Sequence, residues 1–178
     1  GGNHWDQILL NAASIGFDVD VEDVVFNLEG TDTVAYVGVA YDVSSPAGRS
    51  VYRLVKNGLN WMVNQDMDAT GTSTGTLIVA TIRDVAVSWT GDTLFACGTD
   101  AGANHPIVYY KPWNSTGLWT PFPTSGFPFI SGKQGYSVTL GNDTVYVAVD
   151  NEVYFHELGS SSWMLGYTYP VGTEINFL

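Results

Sequence analysis

Carboxylates dominate the groups in this chain that could do chemistry, with eighteen Asp and Glu against six Lys and Arg and three His. Asp23, Asp84 and Glu174 each stand just ahead of a run of apolar residues, and Asn104 and His105 close the small-residue stretch Asp100-Ala101-Gly102-Ala103. Converging carboxylates could hold a hard cation such as calcium, accept hydrogen bonds from sugar hydroxyls, or divide the acid and base work of glycoside cleavage. The oxygen-ligand spacing of an EF-hand is missing, so no dedicated metal site or cofactor is assigned. Asp18, Asp20 and Glu22 alternate, and a strand would show them on one face as a wet edge that discourages aggregation. His4, His105 and His156 lie too far apart in the chain to predict a zinc triad. Nothing brings Ser, His and Asp together, and no Gly-rich phosphate loop opens a helix, so no catalytic residue is assigned. Cys97 has no partner for an internal disulfide and sits in Leu94-Phe95-Ala96-Cys97 as a small hydrophobe.

What must position these groups is a repeated unit. Asp32-Thr33-Val34-Ala35-Tyr36-Val37-Gly38, Asp92-Thr93-Leu94-Phe95-Ala96-Cys97-Gly98 and Asp143-Thr144-Val145-Tyr146-Val147-Ala148-Val149 share a pattern. An apolar run precedes each. A Tyr-centred strand follows each, at Val51-Tyr52-Arg53, Val108-Tyr109-Tyr110 and Val153-Tyr154-Phe155, and a tryptophan comes nine or ten residues after the Tyr, at Trp61, Trp119 and Trp163. Each unit therefore reads as four strands, a to d, paired as an antiparallel meander. Asp150-Asn151 has the form of a two-residue type I′ hairpin turn. The units cover approximately 22–64, 82–122 and 135–166, with a lone d strand at 5–10 and the start of another a strand at 175–178.

One such sheet leaves an apolar face bare, and stacking sheets around an axis covers it. The fold class predicted is all-β: a β-propeller or propeller fragment of three four-stranded blades with one stray strand at each end. Closed rings have roughly four to eight blades, so either more chain or further copies must complete the ring. The alternative architecture is a β-sandwich. The recurrence of Trp at one strand position argues for packing between blades rather than for sugar-stacking platforms.

Val51-Tyr52-Arg53-Leu54-Val55-Lys56-Asn57-Gly58-Leu59-Asn60-Trp61 resembles a degenerate Asp-box, the S-x-D-x-G-x-T-W turn of bacterial neuraminidase-like and sortilin-like β-propellers. Gly58 and Trp61 match, whereas Leu54, Lys56 and Asn60 replace the Ser, Asp and Thr. Gly117-Leu118-Trp119 and Ser161-Ser162-Trp163 keep little beyond the Trp. The resemblance implies a propeller of structural turns. Sialidase chemistry would need an arginine cluster with a tyrosine nucleophile, and Arg49, Arg53 and Arg83 fit no such pattern.

The formal charge of −12 repels nucleic-acid phosphate, and no run approaches the ~18 apolar residues of a membrane span, so neither nucleic acid nor membrane insertion is expected. In a meander the a–b and c–d turns share one rim and the b–c and d–a links the other. The long links, 43–48, 100–105, 68–75 and 121–129, all fall on the second rim, where recognition is commonly grafted onto a rigid scaffold. Asp23, Asp84 and Glu174 should meet at the channel mouth on that rim, beside Asn104 and His105. The expected function is a non-catalytic binding or scaffold module of an extracytoplasmic or secreted bacterial protein, with a protein or carbohydrate ligand. A fragment of a propeller glycoside hydrolase using these carboxylates is the rival. A self-assembling module, a homo-oligomer joined through its end strands, is the third reading.

Overall fold

The structure, a computed structural model, describes residues 21–39, 49–58, 60–68, 80–100, 104–113, 119–175 and 178. Twelve strands and no helix occur among them. The first sheet holds β1 (Val21–Glu29), β2 (Asp32–Val39), β3 (Arg49–Asn57) and β4 (Asn60–Asp68). The second holds β5 (Ala80–Val87), β6 (Thr93–Asp100), β7 (His105–Pro112) and β8 (Thr120–Pro121), and the third β9 (Gly135–Gly141), β10 (Thr144–Val149), β11 (Glu152–Glu157) and β12 (Met164–Thr168). Within each sheet consecutive strands are neighbours and all pairs are antiparallel. These are three meander blades, as the repeat predicts.

The pleat explains why the strands form where they do. In β10, Val145, Val147 and Val149 are fully buried toward the second blade while Tyr146 points the other way and is partly exposed. β6 is buried on both faces: Leu94 and Ala96 pack toward the first blade, Phe95 and Cys97 toward the third. Blades stack through their first strands, β5 against β1, β2 and β3, and β9 against β5, β6 and β7. Two apolar layers result, one around Tyr36, Ile82, Trp113 and Trp119, the other around Phe95, Phe122, Val147 and Trp163. Trp119 and Trp163 are both buried at the same level of their blades, so they are packing residues.

A polar joint repeats along the first strands. Val85 N–H donates to Asp23 Oδ2 at 3.1 Å and Val138 N–H to Asp84 Oδ2 at 2.8 Å. Leu178 N–H donates to Ser137 Oγ at 3.1 Å, and Ser137 is the third blade's counterpart of Asp23 and Asp84. Gly135 N–H meets Thr99 Oγ1 at 3.3 Å, and Ile175 N–H meets the carbonyl of Asp150, the counterpart of Thr99, at 3.2 Å. Ile175 and Leu178 thus stand to the third blade as Gly135 and Val138 stand to the second. That is where the first residues of another inner strand belong, although these two residues join no ladder and 176–177 lie outside the described residues. The strand expected at 5–10 also lies outside them.

Three details depart from the sequence reading. Asp32-Thr33 is not level with the other Asp-Thr pairs: Tyr36 and Phe95 hold equivalent places opposite Val25 and Ala86, which sets Thr33 beside Asp92. A one-residue slip swaps sheet faces. The observed register aims the Tyr36 hydroxyl across the blade joint to the Trp113 carbonyl at 3.0 Å. Trp61 pairs with Lys56, two residue pairs nearer the turn than Trp119 and Trp163, because the first blade's c–d hairpin is longer. The Asp150-Asn151 link takes positive φ at Asp150 alone, whereas type I′ needs it at both residues. Hydrogen bonds outside the hairpin hold it: Asp150 exchanges bonds with the Gln134 backbone, and Asn151 Nδ2 donates to the Tyr169 carbonyl.

Candidate functional site

Asp23 and Asp84 come together at the inner strands, each at a bulge in β1 or β5 that turns the side chain toward the next blade. Asp84 Oδ2 also accepts from Ser137 Oγ at 2.6 Å, so Asp23, Asp84 and Ser137 form a polar line through three blades. Burial pushes the Asp84 carboxyl up to about 7; Ser137 and the Val138 N–H pull it down, and the neighbouring Asp23 raises it. Two carboxyls in contact favour one shared proton. This pair is engaged with the next blade's backbone. Glu174 is exposed, near enough to Tyr136 for its charge to add to the burial that raises the phenol's pKa.

Asn104 and His105 lie on the loop rim of the second blade. Asn104 is exposed with φ 51°, its N–H donating to the Asp100 carbonyl and its carbonyl accepting from Gly132 N–H at 2.6 Å. The His105 ring lies against Phe129, with centroids 3.4 Å apart. His105 lines a groove of about 230 Å³, with Asp100, Tyr109, Phe127 and Trp163 among its other walls. Burial, then the charge of Asp100, raises the Tyr109 phenol to about 12, so it is a neutral hydrogen-bond donor. The links at 40–48, 69–79 and 101–103 lie outside the described residues.

A larger cleft, about 600 Å³, opens on the other rim between the second and third blades. Its cause is one turn residue. Trp113 N–H donates to the Asp92 carbonyl at 2.8 Å and Leu158 N–H to the Asp143 carbonyl at 2.7 Å, so these residues are equivalent. Trp113 is 1% exposed, edge-on to Tyr36 with centroids 4.7 Å apart, and fills the space between the first two blades. Leu158 is 47% exposed and leaves the next space open. The sequence reading missed this cleft because it sought recognition only on the rim of long links; Trp113 against Leu158 at the end of strand c was the available signal. Cys97, fully buried beside Asp84 and with its pKa pushed well up by burial, is inert packing as expected. Among the described residues no three His, Cys, Asp or Glu converge as metal ligands, and no helix is long and apolar enough to cross a membrane.

No protein-family model matches the chain. Over 164 residues, 85% of the chain, it is 29% identical to extracellular metalloproteinase 2 of Arthroderma gypseum and 28% identical to the proteins of that name from Trichophyton tonsurans and Trichophyton rubrum. The chain spans 23% of the length of these relatives. Among solved structures it is similar to the GH74 enzyme of Niastella koreensis, with a TM-score of 0.54 and 16% identity, covering 82% of this chain and 22% of that one. That likeness is one of fold, and with the three stacked meanders it makes the chain an all-β propeller fragment.

Proposed function

We propose that the chain is a non-catalytic, carbohydrate-binding part of an extracellular β-propeller protein, contacting its ligand through the b–c and d–a rim where Asn104 and His105 lie. The observation that carries this reading is the engagement of the axial carboxylates. Glycoside cleavage needs two carboxyls roughly 5–10 Å apart on either side of the scissile bond. Asp23 and Asp84 instead hold the backbone of the neighbouring blade, and Glu174 is exposed beside Tyr136. The GH74 neighbour is a propeller glycoside hydrolase, which favours a saccharide as the ligand class, but a shared fold does not carry catalysis with it. The extracellular setting rests on the metalloproteinase relatives. A glycan microarray, with reducing-sugar release measured on the polysaccharides retained, tests the reading. Retention without release, weakened by Asn104→Ala/His105→Ala, is expected. Sugar release abolished by Asp84→Asn would establish the hydrolase instead, and an array with no retained glycan would leave protein as the ligand class.

A further inference from the structure

We propose that the cleft between the second and third blades, on the rim opposite the long loops, binds a neutral saccharide, with Trp89 as its stacking platform. The inference rests on the carbohydrate reading above and assigns it a second, separate site. Trp89 lines the cleft at the a–b turn of the second blade and is 90% exposed, where the fold draws no packing from it. An indole left so open on a tight turn offers a flat apolar face of the kind that covers the C–H face of a pyranose. Tyr110 and Phe122 add ring surface on the cleft wall.

Polar groups of the right kind surround those rings. Asp92 lies at the mouth with its Oδ1 already oriented by Ser88 Oγ at 2.8 Å and Thr93 Oγ1 at 3.0 Å, which hold it as a fixed acceptor. Asp143 and Ser160 border the opposite side. His156 forms part of the wall, 2% exposed between the rings of Phe122 and Trp163, with its Nε2 3.4 Å from Ser160 Oγ. Carboxylates that only accept, together with hydroxyls, suit sugar O–H groups. The lining holds no Lys or Arg, so a uronic or sialic acid would find no counter-charge. The volume lies within the roughly 300–1,000 Å³ of ordinary ligand pockets.

Two substitutions test the site without endangering the fold. Trp89→Ala removes an exposed side chain, and Leu158→Trp installs the plug that Trp113 supplies between the first two blades. Calorimetric titration with cellotetraose, xylotetraose, mannotetraose and maltotetraose, and with a sialylated trisaccharide as the charged control, gives the readout. At least one neutral oligosaccharide should bind, roughly tenfold more weakly to Trp89→Ala. It should not bind to Leu158→Trp, whose melting temperature stays at or above the parent's. Binding that survives both substitutions overturns the cleft; if that binding is lost in Asn104→Ala/His105→Ala, the proposed function stands without it. Binding lost in Trp89→Ala but untouched by the loop variant sustains the cleft and refutes the loop rim. If none of the neutral sugars binds, the cleft is refuted, whereas the loop rim falls only if the glycan array also retains nothing.

Discussion

Replacing Asp84 by Asn should make the protein more stable at pH 8 and leave it nearly unchanged at pH 5. Burial and the contact with Asp23 hold a proton on Asp84 up to about pH 7, against an ordinary value of 3.8. The folded chain thus keeps a proton that the unfolded chain has already released. Stability is greatest below the unfolded value, falls as pH rises toward the folded one, and levels off beyond it. Each pH unit in that window is worth about 1.4 kcal/mol, so from pH 5 to pH 8 the loss is about 2–3 kcal/mol, an upper figure because the pair shares its proton. In Asp84→Asn the amide oxygen still accepts from Ser137 Oγ and Val138 N–H, and the amide nitrogen donates to Asp23 without titrating. Urea unfolding followed by tryptophan fluorescence at pH 5, 6, 7 and 8 gives the midpoints for both proteins. His156, whose pKa is lowered mainly by burial, acts in the opposite sense as pH falls below its ordinary 6.5, and the difference between parent and variant removes its contribution. A parent-minus-variant difference that is flat or rising from pH 5 to pH 8, or a variant less stable at pH 8, would refute the shared-proton account.

Two further outcomes follow from the packing. Gly98→Ala should cost about 3 kcal/mol or prevent folding, because the added Cβ would lie 1.9 Å from the Thr81 carbonyl oxygen and β5 would have to leave β6; a urea midpoint equal to the parent's would contradict this register. Trp113→Ala should cost about 3–5 kcal/mol by emptying the filled space between the first two blades; a loss under about 1 kcal/mol by the same measurement would mean that the space collapses and that Trp113 is no plug.

The meander and the blade order could be read in the sequence because each strand's β-branched and aromatic residues repeat with a fixed spacing from their turns. Tyr52, Tyr109 and Tyr154 do occupy one ladder position in three blades. The relative slip of Asp32-Thr33 could not be read, since Val34 to Val37 are apolar at every position and either face would satisfy burial; the Tyr36 to Trp113 bond across the joint decides it. Asp23 and Asp84, expected just ahead of the inner strands, lie within β1 and β5. Their purpose was hidden because it depends on bulges that turn them toward Val85 and Val138, residues more than fifty positions away in the chain. Asn104 and His105 stand on the loop rim, and Asp23 and Asp84 are turned into the blade joint.

The three joints differ in what they let vary. Close to the axis every blade offers one polar side chain to the next strand's backbone, and a bulge presents it each time, so this part of the unit sets blade spacing and resists change. Away from the axis the equivalent places hold different side chains: Lys111, buried over the rings of Tyr36 and Trp119, becomes His156 between Phe122 and Trp163, and Trp113 becomes Leu158. An unpaired buried polar group at the axis would cost about 1–3 kcal/mol in each joint, whereas an exposed turn residue at the rim costs almost nothing to exchange. Variation is therefore concentrated where a change of one side chain opens or closes a cleft without disturbing the stacking. On this fold the absence of a plug opens a cleft between blades, at a packing cost the rest of the joint must offset, and the space beside Leu158 is such an opening.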